Sequence, residues 1–134
     1  MNVEILMPYA GLLGLVLIAL SLQVVLLRRR HQVGIGSGQV QALERAIRVQ
    51  ANFTEYVPLA LLLLILLGIS GRVADAALHG LAGALLLGRI LHAVGLSRSA
   101  GTSLNRVFGT LLTWLVLLSS ALIAVFLALS AASV

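Results

Sequence analysis

The chain has no cysteine and no lysine, only four acidic residues and two prolines, and 4% aromatic residues. Without a thiol it can form no disulfide, hold no thiolate-ligated metal and offer no sulfur nucleophile, so any thiol chemistry must use a substrate's sulfur. Its nine cations are therefore all arginines, the cation that burial does not neutralise. They sit singly or in threes beside apolar runs, with no aromatic interleaving, which argues against a nucleic-acid face despite the formal net charge of +5. Of the three histidines, His31, His79 and His92, the last two fall about 220° apart on one helix and do not converge as metal ligands. No serine has the histidine and acid context of a hydrolase.

What is abundant is apolar. Hydrophobic residues make up 60% of the 134-residue chain, charged residues 10%, and the mean hydropathy is +1.12. A soluble domain of this size has far more polar surface, so these values point to an integral membrane protein. At about 20 residues per span, the length allows four spans joined by short loops. The expected fold class is all-α: one membrane domain over residues 1–134, a four-helix bundle with helices near residues 5–27, 43–69, 74–95 and 105–131.

The charges orient the bundle. The first apolar run, Ile5 to Leu27, is followed rather than preceded by Arg28, Arg29 and Arg30, the wrong order for a secretory signal and the right one for an out-to-in span. Eight arginines cluster at the two loops and helix ends of one side, with Arg72 alone on the other. The positive-inside rule then places both termini outside the cytoplasm, with a bacterial inner membrane as the expected location. Gly34, Gly36 and Gly38 follow no strand, so they read as a flexible inner loop rather than a nucleotide loop. Gly80, Ala84 and Gly88 recur every four residues on the third helix and form a small-residue face for close packing, within one chain or between subunits.

The second helix carries the polar chemistry. At about 100° per residue, Arg45, Arg48, Asn52, Glu55 and Tyr56 fall within an arc of roughly 100°. The purely apolar part, Val57 to Ile69, is about 13 residues, or roughly 20 Å against a hydrocarbon thickness of roughly 30 Å. Asn52 and Glu55 are thus expected inside the inner half of the bilayer, where an ionised group costs up to about 3 kcal/mol unless partnered. Arg48 lies too far along the axis for a simple neighbour pair with Glu55. Arginines from other helices, Arg28, Arg89 and Arg106, enter from the same side and would complete a buried Arg–Glu network. Pro58 removes an N–H and frees the Thr54 carbonyl, which should kink or widen the helix beside the stripe.

Together these residues describe a concave cationic site with one carboxylate and further donors from Asn52, Tyr56 and Gln50. Gln50 points roughly opposite the stripe, toward another helix or a second subunit. Such a site suits a small anion that carries its own amine: arginine forks bind carboxylates, Glu55 accepts from an ammonium or amide, and Asn52 pairs with a peptide group. The cationic field would also stabilise a bound thiolate. His92 lies near the same inner end.

The run Glu44-Arg45-x-x-Arg48-x-Gln50-x-Asn52-x-x-Glu55-Tyr56-x-Pro58 resembles the MAPEG family, the membrane-associated proteins in eicosanoid and glutathione metabolism. Ser21-Leu22-Gln23-Val24 followed by Arg28 and Arg29 is similar to the end of that family's first helix. The resemblance, to a bacterial-type member, implies a homotrimer of four-helix subunits with glutathione bound between neighbours near the cytoplasmic face. Carried over by motif, Arg48, Asn52, Glu55 and Tyr56 would hold glutathione, with Arg28 and Gln50 assisting. On the third helix Arg89 falls in place, while His92 and Leu96 stand where well-studied members have tyrosines. Arg106 is the counterpart of the arginine that stabilises the thiolate, with Arg98 as the alternative. The implied activity is that of a glutathione transferase or peroxidase acting on a lipophilic electrophile. A proton-coupled transporter using Glu55 and a non-catalytic scaffold of the same fold are the rival readings.

Overall fold

The computed structural model describes residues 3–98 and 103–132, Arg98 by its backbone alone. A short 3-10 turn, Val3–Leu6, leads into four α-helices: α1 Met7–His31, α2 Gln41–Ser70, α3 Asp75–Arg98 and α4 Leu104–Ala132. Each is long and apolar enough to cross a membrane. The Arg98 side chain and the inner loop expected around Gly101 lie outside the described residues.

Local chemistry sets the helix ends. Pro8 sits in the first turn of α1, where its missing N–H has no partner to lose. At the other end α1 runs past Leu27 because Arg28 to His31 form its last turn, where cations face the negative end of the helix dipole. Gln32 then turns left-handed at φ 55°. Arg28 gathers the following loop by donating from Nη1 to the carbonyls of Val33 (3.5 Å), Gly34 (3.2 Å) and Gly36 (2.9 Å). Gly36 and Gly38 have φ of +69° and +56°, a region costly for other residues, so the loop's glycines serve its turns. Gly71 ends α2 in the same left-handed conformation, at φ 63°. Pro58 leaves α2 a single helix from Gln41 to Ser70. Just before it, the Thr54 hydroxyl turns back to the carbonyls of Ala51 (2.9 Å) and Gln50 (3.3 Å).

The α3–α4 contact is the most extensive of the bundle, and glycines explain how close it is. A Cβ placed on Gly109 would lie 2.5 Å from the Gly88 carbonyl oxygen and the His92 nitrogen, and one on Gly95 2.6 Å from the Arg106 nitrogen. Of the two glycines in the expected row Gly80, Ala84, Gly88, it is Gly88 that makes this contact. Gly80 faces open space, because steps of four residues rotate a row by about 40° each and carry it off the seam. The row that packs is Gly88, His92, Gly95.

α2 touches all three other helices, while α1 and α4 make no contact among the described residues. Phe53, Ala60, Leu64, Leu78, Leu85 and Val116 form the dry centre. Leu15, Leu22, Leu118, Leu122 and Phe126 point outward, which is costly in water and natural in hydrocarbon. At the end of the bundle where α2 turns into α3, Arg72 closes α4 by donating to the Leu127 carbonyl and the Ser130 hydroxyl, each at 3.0 Å.

Candidate functional site

The N-terminal ends of α2 and α4 and the C-terminal end of α3 enclose a cleft of about 340 Å³. Gln41, Glu44, Arg45, Arg48 and Asn52 line it from α2, His92 and Leu96 from α3, and Arg106 from α4. Three arginines against one glutamate leave it strongly cationic, as a site for a small anion requires. Arg106 is positioned by the start of α4: Ser103 caps the helix by accepting from the Arg106 N–H at 3.3 Å. Gly95 lets that backbone approach α3.

Behind the cleft wall lies Arg89, with 1% of its surface exposed. Its Nη2 donates to Asn52 Oδ1 at 2.7 Å, and its Nη1 to Thr113 Oγ1 at 3.4 Å. Nη2 also lies 3.4 Å from His92 Nδ1. The guanidinium carbon sits 5.8 Å from the Phe53 ring centre and 5.9 Å from that of Tyr56, within cation–π range of both. Its Nε is buried with no partner among the described residues. Measured from the start of α3 at Asp75, Arg89 lies about 21 Å into the helix, inside the hydrocarbon thickness. These contacts offset the cost of a cation at that depth.

The stripe of α2 is therefore divided between two surfaces. Arg45, Arg48 and Asn52 face the cleft, and Tyr56 covers Arg89. Glu55 lies on the outer face of the bundle, its Oε1 3.9 Å from Arg48 Nη1, with side-chain exposures of 52% and 59%. Two expectations are corrected here. Arg48 and Glu55 do reach one another, since two long side chains leaning together can bridge two helical turns. The buried cation network centres on the neutral Asn52 rather than on Glu55, because Asn52 faces α3 whereas Glu55 points away from the bundle.

Other expected site residues lie elsewhere. Gln50 faces α1 and donates to the Ser21 hydroxyl at 2.9 Å. Arg28 is engaged with its own loop and is not brought to the cleft. Arg89 stands behind the wall rather than on it. Sequence reasoning missed Gln41 and Thr113. Gln41 precedes the recognisable stripe by one turn, and Thr113 carries only the weak signal of lying one turn beyond Gly109.

The profile of the MAPEG family matches residues 6–126. The chain belongs to the MAPEG family. Among curated relatives, the inner membrane protein YecN of Escherichia coli, from strain K12 and from an O6:H1 strain, is 36% identical over 88 residues. The aligned stretch covers 65% of this chain and 66% of that protein, just under two thirds of the relative's length. The family match takes in the whole α2 stripe, the α3–α4 seam and Arg106, so each wall of the cleft lies within family sequence.

Proposed function

We propose that this MAPEG chain binds glutathione in the cationic cleft and acts as a glutathione transferase or peroxidase on lipophilic electrophiles at the cytoplasmic side of an inner membrane. The observation that carries this reading is the donor set: Arg45, Arg48, Arg106 and Asn52 converge on one cleft, with Asn52 held in place by the buried Arg89. Glutathione offers two carboxylates and amide groups to such donors, together with an ammonium that Glu44 can accept. Its thiolate supplies the nucleophile that a chain without cysteine lacks. In this reading Arg106, which lines the cleft from the start of α4, is the fixed cation that holds that thiolate in its charged form.

The proposed assembly is a homotrimer with both termini outside the cytoplasm, each site completed by a neighbour. The Arg48–Glu55 pair supports this, because it is exposed on a single chain at a depth where lipid would otherwise surround it. A transporter reading gains nothing from the geometry, since a proton-carrying Glu55 would compete with its bond to Arg48.

Equilibrium dialysis of glutathione against the detergent-solubilised protein tests the reading, together with ultraviolet absorbance of the thiolate. Binding with a thiolate signal that disappears in Arg106→Ala is expected. Wild-type protein that binds no glutathione would overturn it, and binding without turnover on a panel of electrophiles and hydroperoxides would leave a scaffold.

A further inference from the structure

The surroundings of His92 are one-sided. Arg89 Nη2 lies 3.4 Å from its Nδ1, and a guanidinium carries donors only. The contact must therefore use the lone pair of Nδ1, which leaves the ring proton on Nε2. A doubly protonated ring would turn an N–H against the Arg89 donors. The His92 backbone packs directly under α4 at Gly109, where there is no room even for a methyl group.

The other nitrogen faces differently. Although His92 is only 3% exposed, Nε2 has no partner among the described residues and is not among the sealed, unpartnered atoms. It therefore keeps some accessible surface, on a residue that lines the cleft with Asn52 and Arg106. Buried behind the wall, Arg89 touches the ring and Asn52 at once through the same nitrogen.

We infer that Arg89 locks His92 in the tautomer protonated on Nε2, so that His92 presents an uncharged hydrogen-bond donor to an anionic acceptor of the ligand beside Arg106. Arg89 is then a positioning residue and His92 a ligand contact. The acceptor is a carboxylate or a thiolate, both of which take a single N–H. The identity of the ligand rests on the glutathione reading, whereas the lock on the ring does not.

Nitrogen-15 NMR of histidine-labelled protein in lipid bilayers reads the tautomer directly, with His92 assigned by the signals lost in His92→Gln. A protonated Nε2 and a bare Nδ1 are expected in the wild-type protein. A proton on Nδ1, or on both nitrogens, overturns the lock. Because the wild-type spectrum decides this, the test does not depend on whether an Arg89 variant folds.

Glutathione binding then tests the donor. His92→Leu is expected to weaken it about tenfold or more, the scale of a lost hydrogen bond to a charged group. His92→Gln, which can place an amide N–H near the position of Nε2, should stay within about threefold. Equal losses in both variants overturn the donor role. A loss that persists with S-methyl glutathione assigns a carboxylate acceptor and one that vanishes assigns the thiolate, and either supports the contact. The expected tautomer in a protein that binds no glutathione would uphold the lock while overturning the glutathione reading and the ligand contact with it.

Discussion

Arg89 and Asn52 join α3 to α2 through a 2.7 Å bond from Nη2 to Oδ1, the shortest contact that the buried guanidinium makes. Its remaining polar partners lie at 3.4 Å, so this bond should carry most of the hydrogen-bond compensation for burying the cation. Asn52→Leu is therefore expected to lower the unfolding free energy by about 3 kcal/mol, the scale of removing an acceptor from a buried charge. Asn52→Asp keeps an oxygen in place and should retain stability. Unfolding in a sodium dodecyl sulfate titration, followed by circular dichroism, separates the two variants. Equal loss in both would mean that the amide N–H of Asn52, absent from both variants, matters rather than its acceptor oxygen.

The glycines of the α3–α4 seam make a second, sharper prediction. In Gly109→Ala the added methyl would fall 2.5 Å from two backbone atoms of α3, which cannot rotate away as a side chain could. The helices must separate, at a cost of about 1–3 kcal/mol or more, and Arg106 would move with α4. Gly80→Ala meets open space and should be neutral within about 0.5 kcal/mol. Thermal unfolding of both variants in the same detergent checks the contrast. A Gly109→Ala protein as stable as Gly80→Ala would show that the seam is looser than described.

The contrast between these glycines shows what the sequence made legible. Four spans were readable because apolar length has a single explanation in a chain this hydrophobic, and the α2 stripe because helical period alone puts Arg45, Arg48 and Asn52 on one side. What could not be read was which neighbour each side met. Gly80 and Gly88 look alike in sequence, yet only Gly88 lies on the seam, because the crossing of α3 and α4 is set by packing along their whole length. Glu55 and Asn52 are three residues apart, a turn of about 300°, and that difference sends one to the bundle interior and the other to its surface. The helix ends were underestimated because the arginines after Leu27 read as a boundary, whereas they form the last turn of α1.

Gln50 allows a test that separates packing from binding. Its amide donates to the Ser21 hydroxyl at 2.9 Å, a polar bond between α1 and α2 on the side away from the cleft. In a double-mutant cycle, Gln50→Leu and Ser21→Ala should each destabilise the protein, with a coupling of about 0.6 kcal/mol, typical of such bonds between membrane helices. Additive effects would remove the bond from consideration. If Gln50→Leu also weakens glutathione binding while Ser21→Ala does not, Gln50 has a second role across a subunit boundary, as the family resemblance implies.

The Arg48–Glu55 pair distinguishes an assembly contact from a ligand contact. Measured from the end of α2 at Ser70, Glu55 lies about 22 Å along the helix, within the hydrocarbon thickness. A pair this exposed is worth little in water, and in lipid it needs a polar cover, which a neighbouring copy would provide. Glu55→Ala leaves Arg48 without its partner and should weaken both the proposed trimer, measured by light scattering in detergent, and the proposed glutathione binding. The charge-reversed double variant, Arg48→Glu with Glu55→Arg, restores the pair while moving the cation about two turns from the cleft. It should recover the oligomer and still bind glutathione poorly. Recovery of both properties would make the pair purely structural, and recovery of neither would show that Arg48 and Glu55 act separately.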